Sequence, residues 1–313
     1  MSNPRRRWPR SRPKNTRRLR GVAVLPSLFT LGNVICGFAA IYYAAMPESD
    51  FHLRRFISPL VLAGYLILIA ILADAIDGRL ARLSNTASNF GAQLDSLADM
   101  VSFGVAPAFL MIKLVSQTPA ASATEATIAG KLVWLIAVIY LCCTALRLAR
   151  FNVESTVDIS SHHGFKGLPC PAAAGTIASL VVLHQEFLGD ATGLGDWLRN
   201  SIGVDLASQV MIRALPVVTL VLALTMVSRI PYVHLLNYYA AGRRSFKHLV
   251  RLTLFLILCL FHMQIALVCL LCGYSISGPI GVLLNRWRAV RANSAIPNSP
   301  AANSSSPDEH LSG

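Results

Sequence analysis

Long apolar runs, separated by short polar links, constrain this chain more than any other feature. Hydrophobic residues make up 54% of the 313-residue sequence and charged residues only 14%. The apolar residues lie in blocks of about 20, the length that crosses a bilayer as an α-helix. In lipid every backbone N–H and C=O group needs an internal partner, so such blocks fold as helices packed into a bundle. The sequence therefore predicts an all-α, polytopic membrane helix bundle.

The apolar runs predict a six-helix core followed by a C-terminal pair of helices. The last run, from Leu249 to Leu284, is too long for one simple helix, and His262 and Gln264 interrupt it near its middle. We prefer two helices with a hairpin turn near His262, which gives eight spans, with seven as the alternative. The six core spans are predicted at Leu25–Met46, Pro59–Arg82, Gly91–Val115 and Gly130–Arg150, from about Leu168 onward, and at Val210–Ser228.

Positive charge is concentrated in the tails and in alternate links. Nine Lys or Arg residues occur between Arg5 and Arg20, with no acidic residue among them. Basic segments next to a span stay in the cytoplasm, so we place both tails there, which requires an even number of spans. A nucleic-acid-binding arm is the alternative for the N-terminal tail, but a span follows directly, so we favour contact with anionic headgroups and expect no nucleic-acid partner. The predicted domains are a basic disordered tail (1–22), a membrane domain (23–285) and a disordered C-terminal tail (286–313).

Four aspartates interrupt the apolar sequence where the second predicted span ends and the third begins. Positions 74, 77, 78, 81 and 82 share one face of a helix, and positions 91, 95 and 99 share a face of the next. Ionisable groups at membrane depth are costly without a partner. If the two faces meet, the carboxylates repel one another unless cations lie between them, and hard oxygen ligands suit Mg²⁺ or Mn²⁺. The predicted metal ligands are Asp74, Asp77, Asp95 and Asp99.

Several chemistries fit such a cluster. Two divalent ions can clamp a phosphoanhydride, and one carboxylate can accept a proton from an attacking hydroxyl. The small Gly78, Ala81 and Gly91 would admit a nucleotide and Arg82 would pair with a phosphate, although small residues are also common at helix contacts and Arg82 could anchor the helix end. Asn33 in the first span is either a helix–helix hydrogen-bond partner or a ligand contact. A cation transporter is the distant alternative, but these acids cluster at one end of the spans instead of crossing the bilayer.

The pattern Asp74-x2-Asp77-Gly78-x2-Ala81-Arg82-x8-Gly91-x3-Asp95-x3-Asp99 matches the signature of the CDP-alcohol phosphatidyltransferases at every specified position. The chain resembles this family over roughly residues 22–284. Its members transfer a phosphatidyl or related group from a CDP-linked donor to an alcohol and release CMP. The resemblance implies a six-helix core, a centre with two divalent ions, Mg²⁺ or Mn²⁺, and a homodimer.

Segments around the motif are similar to the integral-membrane phosphatidylserine synthases of bacteria within that family. This similarity implies CDP-diacylglycerol and L-serine as substrates, in the bacterial inner membrane with the site facing the cytoplasm. Siblings that use glycerol 3-phosphate, inositol phosphate or choline are the alternatives. The similar segments are Leu25–Phe38, Asp99–Pro107, Arg147–Asn152, Gly167–Pro171 and Met226–Tyr232.

The resemblance also implies roles for single residues. Asp74, Asp77 and Asp95 would bind metal, and Asp99 would be the general base and a further metal ligand. An amino-acid acceptor carries a carboxylate, which needs a basic partner. The residues implied for the CDP donor are Gly78, Ala81, Arg82, Gly91 and Asn33, and those for the acceptor are Ser102, Arg150, Asn152 and Lys166.

Overall fold

The computed structural model describes residues 17–51, 57–84, 89–117, 128–157, 167–188, 204–230, 232 and 263–294. All regular structure within these ranges is helical, which confirms the all-α prediction. Met100–Val105 is a π-helical segment that joins α3 to α4, and His184–Leu188 is another that continues α6. The helices are α1 Arg17–Ala45, α2 Pro59–Ser84, α3 Asn89–Asp99, α4 Ala106–Ser116, α5 Ile128–Val157, α6 Cys170–Leu183, α7 Val204–Val227 and α8 Met263–Ser294.

Six helical stretches of the described chain are long and apolar enough to cross a membrane. They correspond to five predicted core spans and to the second half of the predicted C-terminal pair. The remaining predicted span is α6, which is shorter but runs on through the π segment to Leu188. The hairpin near His262 and the parts of the two tails at 1–16 and 295–313 lie outside the described residues, so eight spans stays a prediction. The six stretches are Leu28–Ala45, Pro59–Leu80, Phe90–Ser116, Ile128–Val153, Leu206–Val227 and Met263–Val282.

One face of α1 packs along α2 and against the π segment that follows α3. Its buried residues recur every three or four positions and are small or polar, whereas the large apolar residues between them are exposed on the opposite, lipid-facing side. A Cβ atom on Gly37 would lie only 2.7 Å from the Cα atom of Ser102. Small residues let membrane helices approach this closely. The buried face consists of Thr30, Asn33, Gly37, Ala40 and Ala44.

Helix α6 forms the centre of the bundle. It contacts α2, α4, α7 and α8, and every residue from Ala172 to Ser179 is buried. The run of small residues at 172–175 explains the close packing, because a Cβ atom on Gly175 would lie 3.2 Å from the methyl groups of Leu271 on α8. Thr176 and Ser275 of α8 also share a hydrogen bond of 2.9 Å between their hydroxyls.

The link before α6 is fixed to the segment that follows α7. Gly167 has a φ of +94°, a conformation that strains other L-residues, and its N–H donates to the Ile230 carbonyl at 2.9 Å. The N–H of Leu168 donates to the Thr225 carbonyl at 3.2 Å. Tyr232 then reaches α8, where its hydroxyl donates to the Ser275 carbonyl at 3.1 Å. Two segments that are far apart in sequence thus join the start of α6 to α7 and α8 at one end of the bundle.

The π segment after α3 changes which side chains face the core directly after Asp99. Ser102, Phe103 and Gly104 are all buried in this segment. The Phe103 carbonyl accepts a 2.9 Å hydrogen bond from the hydroxyl of Tyr140 on α5. Single π turns inside helices are frequent at functional sites, and this one adjoins the predicted metal site.

Candidate active site

Three of the four predicted carboxylates converge between α2 and α3. Asp74 lies on α2, Asp95 and Asp99 lie on α3, and each offers an oxygen atom within 4.8 Å of the others. Oxygen atoms that surround one Mg²⁺, each about 2.1 Å from it, are at most about 4.2 Å apart. The observed spacing therefore approaches that of a shared cation site. Asp99 is buried, and the other two are half-buried.

Asp77 lies beside these three carboxylates without being part of the convergent group. It is 4% exposed, and the Thr30 hydroxyl on α1 donates to its Oδ2 atom at 3.0 Å. Its charge still acts on Asp95 and Asp99. Sequence reasoning missed Thr30, although a signal was present, because Thr30 and Asn33 are three residues apart on one face of an apolar helix.

Asn33 connects α1 to the carboxylate cluster and carries an unpaired acceptor. Its Nδ2 atom donates to Asp99 Oδ1 at 3.1 Å, and its backbone carbonyl accepts from the Ser102 hydroxyl at 2.8 Å. Its side-chain oxygen is buried and has no hydrogen-bond partner among the described residues. A buried acceptor without a partner is costly. This oxygen next to Asp99 fits a cation or a hydrogen-bond donor of a ligand.

Arg147 on α5 is a second residue at this site that sequence reasoning did not single out. Its Nη1 atom donates to the Sγ atom of Cys170 at 3.1 Å, and its charge acts on Asp74. In the sequence, Arg147 stands out only as part of the segment Arg147–Asn152, which is similar to phosphatidylserine synthases. No spacing rule links it to Asp74, since the two residues lie on helices that are far apart in sequence.

The structure describes the surroundings of only some of the residues predicted to bind the CDP donor. A Cβ atom on Gly78 would meet nothing within 4 Å, so open space lies next to this residue one turn after Asp74. Gly91 is half-buried near the start of α3. Ala81 and Arg82 lie near the end of α2, but their side chains are outside the described part of the chain.

Three of the four residues predicted to bind the acceptor lie within the described part of the chain. Ser102 is buried and bonded to α1. The Nδ2 atom of Asn152 donates to the Ser96 hydroxyl on α3 at 3.0 Å, which brings Asn152 next to the helix that carries Asp95 and Asp99. Arg150 is half-buried on the same helix as Asn152, and Lys166 lies outside the described residues. Their contact with an acceptor stays a prediction.

Comparison with known proteins identifies the family. The family described as CDP-alcohol phosphatidyltransferase matches residues 23–222, a range that contains the four aspartates, Asn33 and Arg147. The chain belongs to this family. The resemblance noted on the motif is thereby confirmed, and the match ends before α8, whose packing on α6 extends the bundle beyond the shared region.

Several curated relatives of this chain carry the same name. The CDP-diacylglycerol–serine O-phosphatidyltransferase of Helicobacter pylori is 32% identical over 164 residues, which cover 52% of this chain and 60% of that protein. The protein of the same name from Mycobacterium tuberculosis is 32% identical over 178 residues, 56% of this chain and 54% of that protein. The protein of that name from Methanocaldococcus jannaschii is 38% identical over 123 residues, which cover 39% of this chain and 52% of that protein. The chain thus spans about half the length of these curated relatives.

Proposed function

We propose that this integral membrane protein transfers the phosphatidyl group of CDP-diacylglycerol to the hydroxyl of L-serine and releases CMP. The observation that carries the proposal is the convergence of Asp74, Asp95 and Asp99 beside the unpaired Asn33 oxygen. In a chain that belongs to the CDP-alcohol phosphatidyltransferases, this arrangement supports a phosphate-transfer site. The names of the relatives support serine as the acceptor.

The donor set fits a divalent metal centre. Carboxylates and an amide oxygen are the hard ligands that Mg²⁺ and Mn²⁺ prefer. We assign Asp74, Asp77, Asp95 and Asp99 as the residues that hold two such ions. When bound, the ions supply positive charge that neutralises the diphosphate oxygens and the leaving phosphate.

The CDP part of the donor would lie against the adjoining ends of α2 and α3. The open space at Gly78 and the small Ala81 and Gly91 allow a nucleotide to approach the helix backbones. Arg82 would donate to a phosphate oxygen, since a guanidinium matches phosphate geometry. The unpaired side-chain oxygen of Asn33 would accept a hydrogen bond from CDP-diacylglycerol.

Asp99 is assigned as the general base. Its carboxylate takes the proton of the serine hydroxyl, and the serine oxygen attacks the phosphorus that carries diacylglycerol. A new P–O bond to serine forms as the P–O bond to the CMP phosphate breaks, and CMP leaves with that electron pair. Ser102, Arg150, Asn152 and Lys166 are the residues proposed to surround the acceptor.

The proposed setting is the bacterial inner membrane, with the site at its cytoplasmic face and the protein a homodimer. The basic segments of the sequence support this orientation. Asp74, Asp95 and Asp99 lie in the halves of their two spans that are nearer to the link between α2 and α3, which supports a site toward one membrane surface, where a soluble acceptor and a lipid donor can meet. A transport path for cations would need acids along the bundle.

An acceptor panel tests the function. The purified protein in mixed micelles with CDP-diacylglycerol and Mg²⁺ or Mn²⁺ receives radiolabelled serine, glycerol 3-phosphate, inositol phosphate or choline. We expect CMP release and labelled lipid only when serine, the lipid donor and the metal ion are all present. Turnover with another alcohol in place of serine would overturn the acceptor. Metal-dependent ion flux in liposomes without CMP release would overturn the enzymatic function.

A further inference from the structure

Arg147 is held in a way that leaves part of its guanidinium group without a partner. It lies on α5 within a stretch that is apolar enough to cross the membrane. Its side-chain hydrogen bond within the described chain goes from Nη1 to the Cys170 thiol at 3.1 Å. The Nε atom is buried and has no hydrogen-bond partner among the described residues.

This arrangement leaves a buried N–H donor unsatisfied unless a ligand accepts from it. Sulfur is a weak acceptor, so Cys170 is a poor partner for the guanidinium. The side chain as a whole is half-buried, but its buried Nε–H costs free energy as long as it has no acceptor. A guanidinium donates through Nε and Nη in a planar fork that matches a carboxylate. The Nε–H group thus lacks the acceptor that an anionic ligand would supply.

The surroundings place that ligand next to the carboxylate cluster. The charge of Arg147 acts on Asp74 of α2 and on Tyr274 of α8. The thiol of Cys170 in turn interacts with Asp74 and Asp99. The charge of Arg147 thus acts on both the carboxylate cluster and the C-terminal helix, and Arg147 lies one turn before Arg150, the basic residue that the family resemblance implies for the acceptor.

We propose that Arg147 binds the α-carboxylate of the amino-acid acceptor and so determines that serine, and not a neutral amino alcohol, is used. This inference rests on the proposed function, because it takes serine as the acceptor. The carboxylate would occupy the unpaired side of the guanidinium, which orients the serine hydroxyl toward Asp99. Tyr274 would close the same region from a helix that the family match does not include.

The test compares two acceptors in variants of Arg147. Arg147→Lys keeps the charge but loses the fork, and Arg147→Ala loses both. Arg213→Lys is the control, since Arg213 is exposed on α7. L-serinamide has the hydroxyl and amine of serine but no carboxylate. Size-exclusion profiles and CDP-diacylglycerol binding establish that each variant is folded.

We expect the KM for serine to rise about 10- to 100-fold in both Arg147 variants, because this is the usual effect of losing a hydrogen bond to a charged group. The KM for CDP-diacylglycerol should stay within about twofold, and turnover of serinamide should hardly change, because the lost interaction is specific to the carboxylate. Arg213→Lys should match the wild type for both acceptors.

Several results would overturn this inference. An equal loss with serine and serinamide would make Arg147 a positioning residue for the carboxylate cluster. A raised KM for CDP-diacylglycerol would show that its partner is the diphosphate. If the wild type depends on serine and Arg147→Lys leaves the KM for serine unchanged, the inference about Arg147 is refuted and the proposed function stands. If the wild type shows no serine-dependent CMP release, the proposed function itself is refuted.

Discussion

Asp99 combines the features expected of a proton acceptor at the centre of a charged cluster. It is 8% exposed, it accepts a hydrogen bond from Asn33, and two further carboxylates have oxygen atoms within 4.8 Å. Its neighbour Asp77 is buried as well, but the Thr30 hydroxyl already donates to it. The two buried aspartates therefore have different surroundings, which supports different roles for them.

Asp99→Asn tests the assignment of the base. The amide keeps the size of the side chain but cannot take a proton, so we expect CMP release to fall by about 100- to 10,000-fold, the usual worth of general-base catalysis. Binding of CDP-diacylglycerol, measured by titration of the purified variant, should remain detectable. Asp50→Asn is the control, because Asp50 lies in an exposed 3₁₀ turn. Loss of donor binding in Asp99→Asn would instead identify Asp99 as an essential metal ligand.

Helix α1 carries no carboxylate and yet arranges the site. Its buried face supplies Thr30 to Asp77, Asn33 to Asp99 and a backbone carbonyl to Ser102. These contacts depend on the close approach of α1 to the π segment, which only a residue without a side chain permits at position 37. The position of α1 along its own axis therefore controls the hydrogen bonds of two aspartates.

Gly37→Ala should separate α1 from the π segment. The added Cβ atom would lie 2.7 Å from the Cα atom of Ser102, and overpacking of this kind costs about 1–3 kcal/mol. We expect a lower thermal unfolding temperature in detergent and a loss of CMP release at a donor concentration that saturates the wild type. In Gly32→Ala, the matched control on the same helix, the Cβ atom meets nothing within 4 Å, so the unfolding temperature should be at least that of the wild type and CMP release should be unchanged. Equal effects of the two substitutions would contradict this account of α1.

The assembled bundle brings like charges together that no single helix would hold. Asp74 lies on α2 and Asp95 and Asp99 lie on α3, two helices that both pack on α1, and their carboxylates share one small region. Without cations this packing is opposed by repulsion, and with cations it is stabilised. We therefore expect metal binding and the stability of the whole molecule to be linked.

Asp95→Asn tests that linkage. Titration of the wild type with Mg²⁺ or Mn²⁺ should raise its thermal unfolding temperature, since a ligand at 100 times its Kd adds about 2.7 kcal/mol. The variant should unfold at a higher temperature than the wild type in EDTA, because one repelling charge is gone, and should lose the increase with metal. Glu48→Gln, a change in the exposed 3₁₀ turn, should behave as the wild type. A metal-dependent increase that survives Asp95→Asn would rule out Asp95 as a ligand.

The helices and the faces of the charged motif follow from the sequence alone. Pro59–Arg82 was predicted where α2 spans Pro59–Ser84, because apolar backbone in lipid has no alternative to a helix. Helical spacing also placed Asp74 and Asp77 on one face and Asp95 and Asp99 on another. The signature residues then identified the family, which the comparison confirmed over residues 23–222.

The helix that meets each carboxylate, in contrast, depends on the folded bundle. Thr30 pairs with Asp77 across 47 positions of the sequence, Asn33 pairs with Asp99 across 66, and Arg147 pairs with Cys170 across 23. Periodicity gives the direction of a side chain around its own helix axis, but it carries no information on the neighbour that lies there. That neighbour follows from how the small residues of α1 and α6 let the helices approach, which is a property of the packed bundle.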